Sequence, residues 1–256
     1  MNTLIKNKQP VQWDYTQLAA HYLKRPDYAQ NAIDRLCKRI GLLSGMEVCD
    51  VGAGSAHLTK MLVRKGLKVA AVEPNNAMRE VGQSVTIDMP VNWFTGTGEE
   101  TGQPDAAFDA VTFGSSFNTT DRQGALKETA RILRPRGWFV CMWNHRDLGD
   151  VLQNRVENYI KSTIEGYGYG TRREDQTEVI RESTLFDESI YIEGDQKVTL
   201  LTEDYVEAWR SHATLQRQAS GRMQELIEGI KLIVDDHGNE EIKIGYTTRI
   251  WAAQLK

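Results

Sequence analysis

The chain has 256 residues, enough for one well-buried α/β domain with an added cap and too few for three domains. With 40% hydrophobic and 26% charged residues it has the composition of a soluble globule, and a formal net charge of −4 gives no general pull toward nucleic acid or an anionic membrane. Cys37, Cys49 and Cys141 are widely spaced and read as reduced core cysteines, with no Cys-x-x-Cys pair and so no expected metal site.

Residues 1 to 14 are polar, with no leader-like apolar run, and no stretch approaches the roughly 18 apolar residues of a membrane span, so the cytoplasm is the expected location. Between Trp13 and Tyr28, Tyr15, Leu18, Ala19 and Tyr22 fall at helical spacing, and Arg25-Pro26 breaks the pattern. Asp27 is a candidate cap for the next helix, whose apolar face is Ala32, Ile33, Leu36, Cys37 and Ile40 ahead of Gly41.

VCDVGAGSAHLT, Val48 to Thr59, then predicts a buried strand, a tight turn and a helix from about His57 to Lys65. Gly52 and Gly54 permit positive φ and let a ligand approach the backbone, while the helix N–H groups point back across the loop. A dinucleotide fingerprint counted from Gly52 requires glycine at 57, where the chain has His57. The D-x-G-x-G-x-G pattern fits instead at Asp50, Gly52 and Gly54, with Ala56 at the third glycine. KVAAVEPNNAM, Lys68 to Met78, predicts a second strand ending in Glu73, roughly twenty residues on, where a carboxylate can accept both hydroxyls of a ribose.

Asn75 or Asn76 caps a short helix through Met78 and Val81. A third strand lies around Val91 to Phe94, followed by a flexible loop with Gly96, Gly98 and Gly102, and Phe108 to Gly114 is a clear fourth strand. Asp121 starts a helix carrying Leu126, Ala130 and Leu133. A Pro-Gly turn then leads into a fifth strand ending near Trp143.

This alternation predicts a parallel sheet wound by right-handed crossovers, with ligands at the carboxyl ends of its strands, where Asp50, Glu73, Gly98, Ser115 and Asn144 fall. Beyond Asp150, helices are expected over Val151 to Ile164, Thr202 to Trp209 and Met223 to Val234. Tyr167 to Glu178 reads as a polar insertion over the site, Lys197 to Leu201 as a sixth strand, and IKIGYTTRIWAAQL as a long final strand.

With these residues in place the chain resembles the class I S-adenosylmethionine (SAM) methyltransferases, of the small bacterial, type 11-like kind with a Y-x-x-x-R-P opening. The resemblance rests on YLKRPDY, CDVGAGSAHLT, AVEPNNAM, the segment from Gly96 to Asn118, and LRPRGWFVCMWN, and more loosely on SHATLQRQASGR and GYTTRIWAAQ. It implies a Rossmann-like three-layer sandwich, α/β, with a mostly parallel seven-stranded sheet and a helical lid. The expected organisation is a tail and lid helix over 1–27, a cofactor-binding core over 28–145, and a cap with the last strands over 146–256, all one domain.

The resemblance also implies roles. Asp50, Gly52, Ala53 and Gly54 would line the methionine part of SAM, Glu73 would hold its ribose with Pro74 and Asn75 nearby, and Gly98 and Glu99 would flank the adenine, with Ser115 and Phe117 on the other side. Arg25 would bond the SAM carboxylate, and Tyr22 and Met78 complete the expected cofactor set. Many relatives carry His-Trp after the fourth strand where this chain has Asn118-Thr119. Tyr15, Asn118, Asn144, His145 and His212 are the expected acceptor-side residues, and His145 is the candidate general base ahead of His57 and His212.

The expected reaction transfers the SAM methyl group in line to an O, N or C acceptor on a small molecule, leaving S-adenosylhomocysteine. After strand four, GSSFNTTD has no Asn- or Asp-Pro-Pro-aromatic motif for a flipped base, and the acidic balance argues against a nucleic-acid partner. Two alternatives are a methyltransferase acting on protein or RNA and a non-catalytic SAM-binding protein. The sequence leaves the oligomeric state open.

Overall fold

The computed structural model describes Thr16 and residues 18–256. Tyr15 and Trp13, expected in the first helix, lie outside the described residues. In chain order the elements are α1 (Ala19–Tyr22), α2 (Gln30–Ile40), β1 (Glu47–Val51), α3 (His57–Arg64), β2 (Lys68–Val72), α4 (Asn76–Val85), β3 (Val91–Phe94), β4 (Phe108–Gly114), α5 (Arg122–Ile132) and β5 (Leu133–Arg146). They continue as α6 (Val151–Thr163), α7 (Thr177–Glu182), β6 (Ile190–Leu201), α8 (Thr202–Arg210), α9 (Ala213–Gln218), α10 (Met223–Asp235) and β7 (Glu241–Gln254).

The strands form one seven-stranded sheet in the order β3-β2-β1-β4-β5-β7-β6. The first five run parallel, and β7 lies antiparallel to both of its neighbours. The reversal of winding beside β1 places the crevice for a ligand at the carboxyl ends of β1 and β4.

Side chains alternate through the sheet. Val48, Val69, Val140 and Met142 pack with α2 and α3 on one face, through Ile33, Leu36, Leu58 and Leu62. Cys49, Val111, Phe113 and Phe139 pack with α5 and α7 on the other, through Leu126, Ile132 and Ile180. Both faces being covered, the parallel strands read as continuous apolar runs. A third cluster joins α6, α8 and α10 to the far ends of β6 and β7 through Val156, Trp209, Ile230, Ile242 and Ile244. All three cysteines are buried and unpaired. No helix among the described residues is long and apolar enough to cross a membrane.

Several expectations are corrected. Ala29, not Asp27, occupies the N-cap of α2, because the Asp27 carboxylate is spent on His57. Leu133 opens β5 and does not belong to α5, and β5 continues three residues past Trp143 to Arg146. The Pro-Gly turn is an irregularity inside that strand: partners step from Phe108 and Leu133 to Ala110 and Trp138, with Arg136 at φ 66° in the left-handed region. β6 begins at Ile190, well before Lys197. The 167–178 stretch carries a short 3-10 turn, Gly170–Arg173, and the start of α7.

Candidate functional site

The turn after β1 is a left-handed staircase: Gly52, Gly54 and Ala56 have φ of 67°, 54° and 67°. At Gly52 a Cβ would stand 2.4 Å from the Ser116 Cβ, so glycine is required both by φ and by space. The Gly52 and Ala53 N–H groups donate to the Val72 carbonyl, at 2.8 and 3.1 Å, tying the turn to the end of β2.

The Asp50 carboxylate is buried beneath this turn and accepts hydrogen bonds from the Thr59 Oγ1 at 2.6 Å and the Thr112 Oγ1 at 2.9 Å. Burial pushes it up to about 6, against the pull of those two hydrogen bonds. Asp50 thus braces β1, α3 and β4 with both oxygens already engaged. Glu73, at the end of β2, accepts the Gly54 N–H through Oε2 and the Asn75 N–H through Oε1, each at 2.9 Å. Asn75 caps α4, its Oδ1 accepting from the Met78 N–H at 3.0 Å.

Two cavities open at this edge of the sheet. The first is lined by Glu73, Pro74, Asn75 and Met78 on one side and by Thr97, Gly98, Glu99, Thr119 and Thr120 on the other. The second is lined by Arg25, Tyr28, Asn118, Trp143, Asn144, His145 and Arg146, with Arg172, Arg173, Trp209, His212 and Tyr246 closing it. Tyr22, Gly52, Gly114 and Ser115 line both, so the two spaces adjoin across the Gly52 turn and Ser115. Ser115 has φ of 61°, and its hydroxyl pairs with the Tyr28 hydroxyl at 2.9 Å.

Most expected cofactor residues line one of these cavities. Gly54 lies just behind the first, through its bond to Glu73. Like Gly54, Phe117 lines neither cavity: fully buried, its ring packs 5.4 Å from Phe113 and 5.1 Å from Phe139, inside the core. Glu99 lines the first cavity while accepting the Asp121 N–H at 2.6 Å. Arg25 stacks on Tyr22, with 4.1 Å from guanidinium to ring centroid, and bonds the Ser211 hydroxyl and carbonyl at 2.6 Å each.

On the acceptor side, Asn118 receives the Trp143 indole N–H at 2.9 Å. Asn144 is spent at both ends, accepting from the Thr248 hydroxyl at 2.6 Å and donating to the Asp27 carbonyl at 2.9 Å. His57 is spent as well, with Nδ1 on Asp27 at 2.6 Å and Nε2 on the Tyr22 carbonyl at 3.0 Å. His145 is buried with its Nε2 unpartnered, and burial, reinforced by Arg249, Arg173 and Arg172, pushes it down to about 3. His212 stacks on Trp209 at 4.5 Å, and burial together with Arg25, Arg172 and Arg146 holds it well below its usual value.

Sequence reasoning missed Arg146, Arg172, Arg173, Tyr205, Trp209 and Tyr246 as lining residues. The available signal was the Arg172-Arg173 pair inside a stretch otherwise read as an insertion. Burial pushes Arg172 down to about 10, with Arg25, Arg173 and Arg146 adding like charge, and it stays protonated at neutral pH. No cluster of three or more His, Cys, Asp or Glu side chains fit to hold a metal ion occurs among the described residues.

The sheet order, the glycine turn after β1 and the acid after β2 define a Rossmann-like α/β fold, shared with solved methyltransferase structures. Residues 49–141 match the family described as methyltransferase domain. It is 35% identical over 130 residues to an uncharacterized methyltransferase of Mycobacterium tuberculosis, 51% of each chain being covered. It is 32% identical over 163 residues to a ubiquinone/menaquinone biosynthesis C-methyltransferase of Hahella chejuensis, covering 59% of this chain and 66% of that one. The chain thus spans about half the length of the mycobacterial relative. Among solved structures, a phosphoethanolamine N-methyltransferase of Haemonchus contortus in complex with S-adenosylhomocysteine aligns with a TM-score of 0.54 at 16% identity, over 96% of this chain and 58% of that one.

Proposed function

We propose that the protein transfers the methyl group of SAM to a small-molecule acceptor. The observation that carries this reading is the adjoining pair of cavities. One offers a carboxylate, Glu73, beside the glycine turn after β1, and the other is lined by arginines and aromatic rings. The residues fit the cofactor: each Glu73 oxygen accepts one backbone N–H, which leaves a lone pair on each for a ribose diol. Arg25 spends Nε and Nη2 on Ser211 and keeps Nη1 for the carboxylate. Thr97 to Glu99 and Thr119 to Thr120 form the wall for the base.

SAM, when bound, supplies a methyl group already activated by its sulfonium. The protein's task is to align the two partners and exclude water, and such positioning is worth roughly 7–11 kcal/mol. Ser115 and Gly52 line both cavities, Tyr28 is bonded to Ser115 from the second, and the three would border the reacting atoms. Methylation of small molecules by the quinone and phosphoethanolamine enzymes named above supports the acceptor class.

Calorimetric titration with S-adenosylhomocysteine, using NAD as control, tests the reading. Saturable binding of the first alone is expected. Binding of NAD alone, or of neither, refutes the cofactor assignment.

A further inference from the structure

The acceptor cavity is lined by four guanidinium groups, those of Arg25, Arg146, Arg172 and Arg173, and by one carboxylate, Asp50. Asp50 is already committed to two threonine hydroxyls. Among the described residues no carboxylate is in ion-pair contact with Arg25, Arg172 or Arg173, and the latter two lie over the Tyr169 ring, at 5.1 and 3.5 Å.

Arg146 is more deeply placed. Its side chain is 7% exposed, one Nη2 bond at 2.7 Å goes to Glu157, and its plane lies 4.4 Å over Trp209. Its Nη1 has no hydrogen-bond partner, and neither have two further buried polar atoms on the same wall, the His145 Nε2 and the Tyr205 hydroxyl. Polar groups left unmet at such depth are costly, more so when charged. Like charges gathered in a partly desolvated space add to that cost.

An anionic guest relieves both at once. A cationic guest adds to the repulsion, and a neutral one answers the hydrogen bonds but not the charge. Methyl transfer sharpens the argument, because the sulfonium brings another positive charge to the boundary of this space. If Arg25 serves the cofactor carboxylate, three guanidiniums remain on the acceptor side.

Resting on methyl transfer as the function, we infer that the acceptor is an oxyanion, a small organic acid or phosphomonoester, whose charged group is held by Arg146, Arg172 and Arg173. The aromatic walls formed by Trp143, Trp209 and Tyr246 accommodate an apolar body on the same molecule. Fork-shaped guanidiniums suit carboxylate and phosphate alike.

The experiment titrates succinate, citrate, inorganic phosphate, choline and glucose into the 256-residue chain saturated with S-adenosylhomocysteine, followed by calorimetry. The same titrations are run on Arg172→Gln and Arg173→Gln. Saturable binding of at least one of the three anions is expected, weakened about tenfold or more in each variant, with no binding of choline or glucose and unchanged affinity for S-adenosylhomocysteine. A preference for phosphate over both carboxylates identifies a phosphomonoester acceptor, and the reverse an organic acid. Absence of binding by all three anions, equal anion affinity in the variants, or a preference for choline overturns the inference. Loss of S-adenosylhomocysteine affinity in both variants also overturns it, by moving these arginines to the cofactor. If the unaltered protein fails to bind S-adenosylhomocysteine, methyl transfer falls, and the anion titrations repeated without it still decide whether the arginine site exists.

Discussion

Glu73 and Gly54, nineteen residues apart, are joined by a 2.9 Å bond from the Gly54 N–H to the Glu73 Oε2. The bond makes the acid after β2 part of the turn after β1: the same carboxylate that faces the proposed ribose also fixes the loop beneath it. Its other oxygen, Oε1, holds the Asn75 N–H at 2.9 Å and so sets the start of α4.

Glu73→Ala removes these two acceptors together with the bonds offered to a diol. Bonds to a charged group are worth about 1.5–3 kcal/mol each, so S-adenosylhomocysteine affinity is expected to drop by roughly a hundredfold in calorimetry. Glu73→Gln is expected to lie between, because its amide N–H₂ must face a backbone N–H. Unchanged affinity in both variants would detach Glu73 from the cofactor.

Gly82 controls the same turn from α4. A Cβ there would stand 2.2 Å from the Trp93 Cη2 and 2.6 Å from the Gly54 carbonyl oxygen, and the Trp93 ring is held in place by its Nε1 bond to the Thr86 hydroxyl at 3.1 Å. Gly82→Ala is therefore expected to destabilise the protein by about 1–3 kcal/mol and to weaken cofactor binding by shifting Gly54. Urea denaturation and the same titration measure the two effects. A stability equal to that of the unaltered chain would mean that α4 can retreat freely from the loop.

The parallel half of the fold was legible because its strands are buried on both faces and its turns are spelled with glycine. Asp50, Gly52, Glu73, Asn75 and Ser115 could be placed from spacing alone, since each ends a strand or caps a helix. β6 was read short because it is an edge strand whose burial alternates and whose polar run Glu193 to Lys197 breaks the apolar signal. Phe117 was misplaced because a residue after β4 can turn to the cavity or to the core, and ring packing against Phe113 and Phe139 decided for the core. Arg146, Arg172 and Arg173 converge only through the folding of 146–173 back over the sheet, which no local pattern announces.

His145 was the leading candidate for a general base, yet its environment argues against that role. With the imidazolium pushed down to about 3, the ring is neutral at pH 7 and holds a proton poorly. Its ring resonance, assigned by loss in His145→Gln, is expected to stay fixed from pH 8 to pH 5. The folded protein binds fewer protons here than the unfolded chain between about pH 6.5 and pH 3, so the group's contribution to stability declines as pH falls through that window. His145→Gln should therefore compare more favourably with the unaltered chain at pH 5 than at pH 8. A titration of the ring near pH 6.5 would restore it as a base.

Asp50 supplies the opposite sign. Its carboxyl is pushed up to about 6 from an ordinary value of 3.8, so between roughly pH 4 and pH 6 the folded protein holds a proton that the unfolded chain has released. Stability from this group is present at low pH and lost as pH rises through the window, by on the order of 3 kcal/mol. Asp50→Asn is neutral at every pH. Its Oδ1 can still accept from one threonine hydroxyl, and its amide can donate to the other. Measured by urea denaturation, the variant's stability relative to the unaltered protein is expected to rise between pH 4 and pH 7 by an amount of that order. A difference that does not change with pH would mean that Asp50 ionises like an exposed carboxylate, and that Thr59 and Thr112 fully offset the cost of burying its charge.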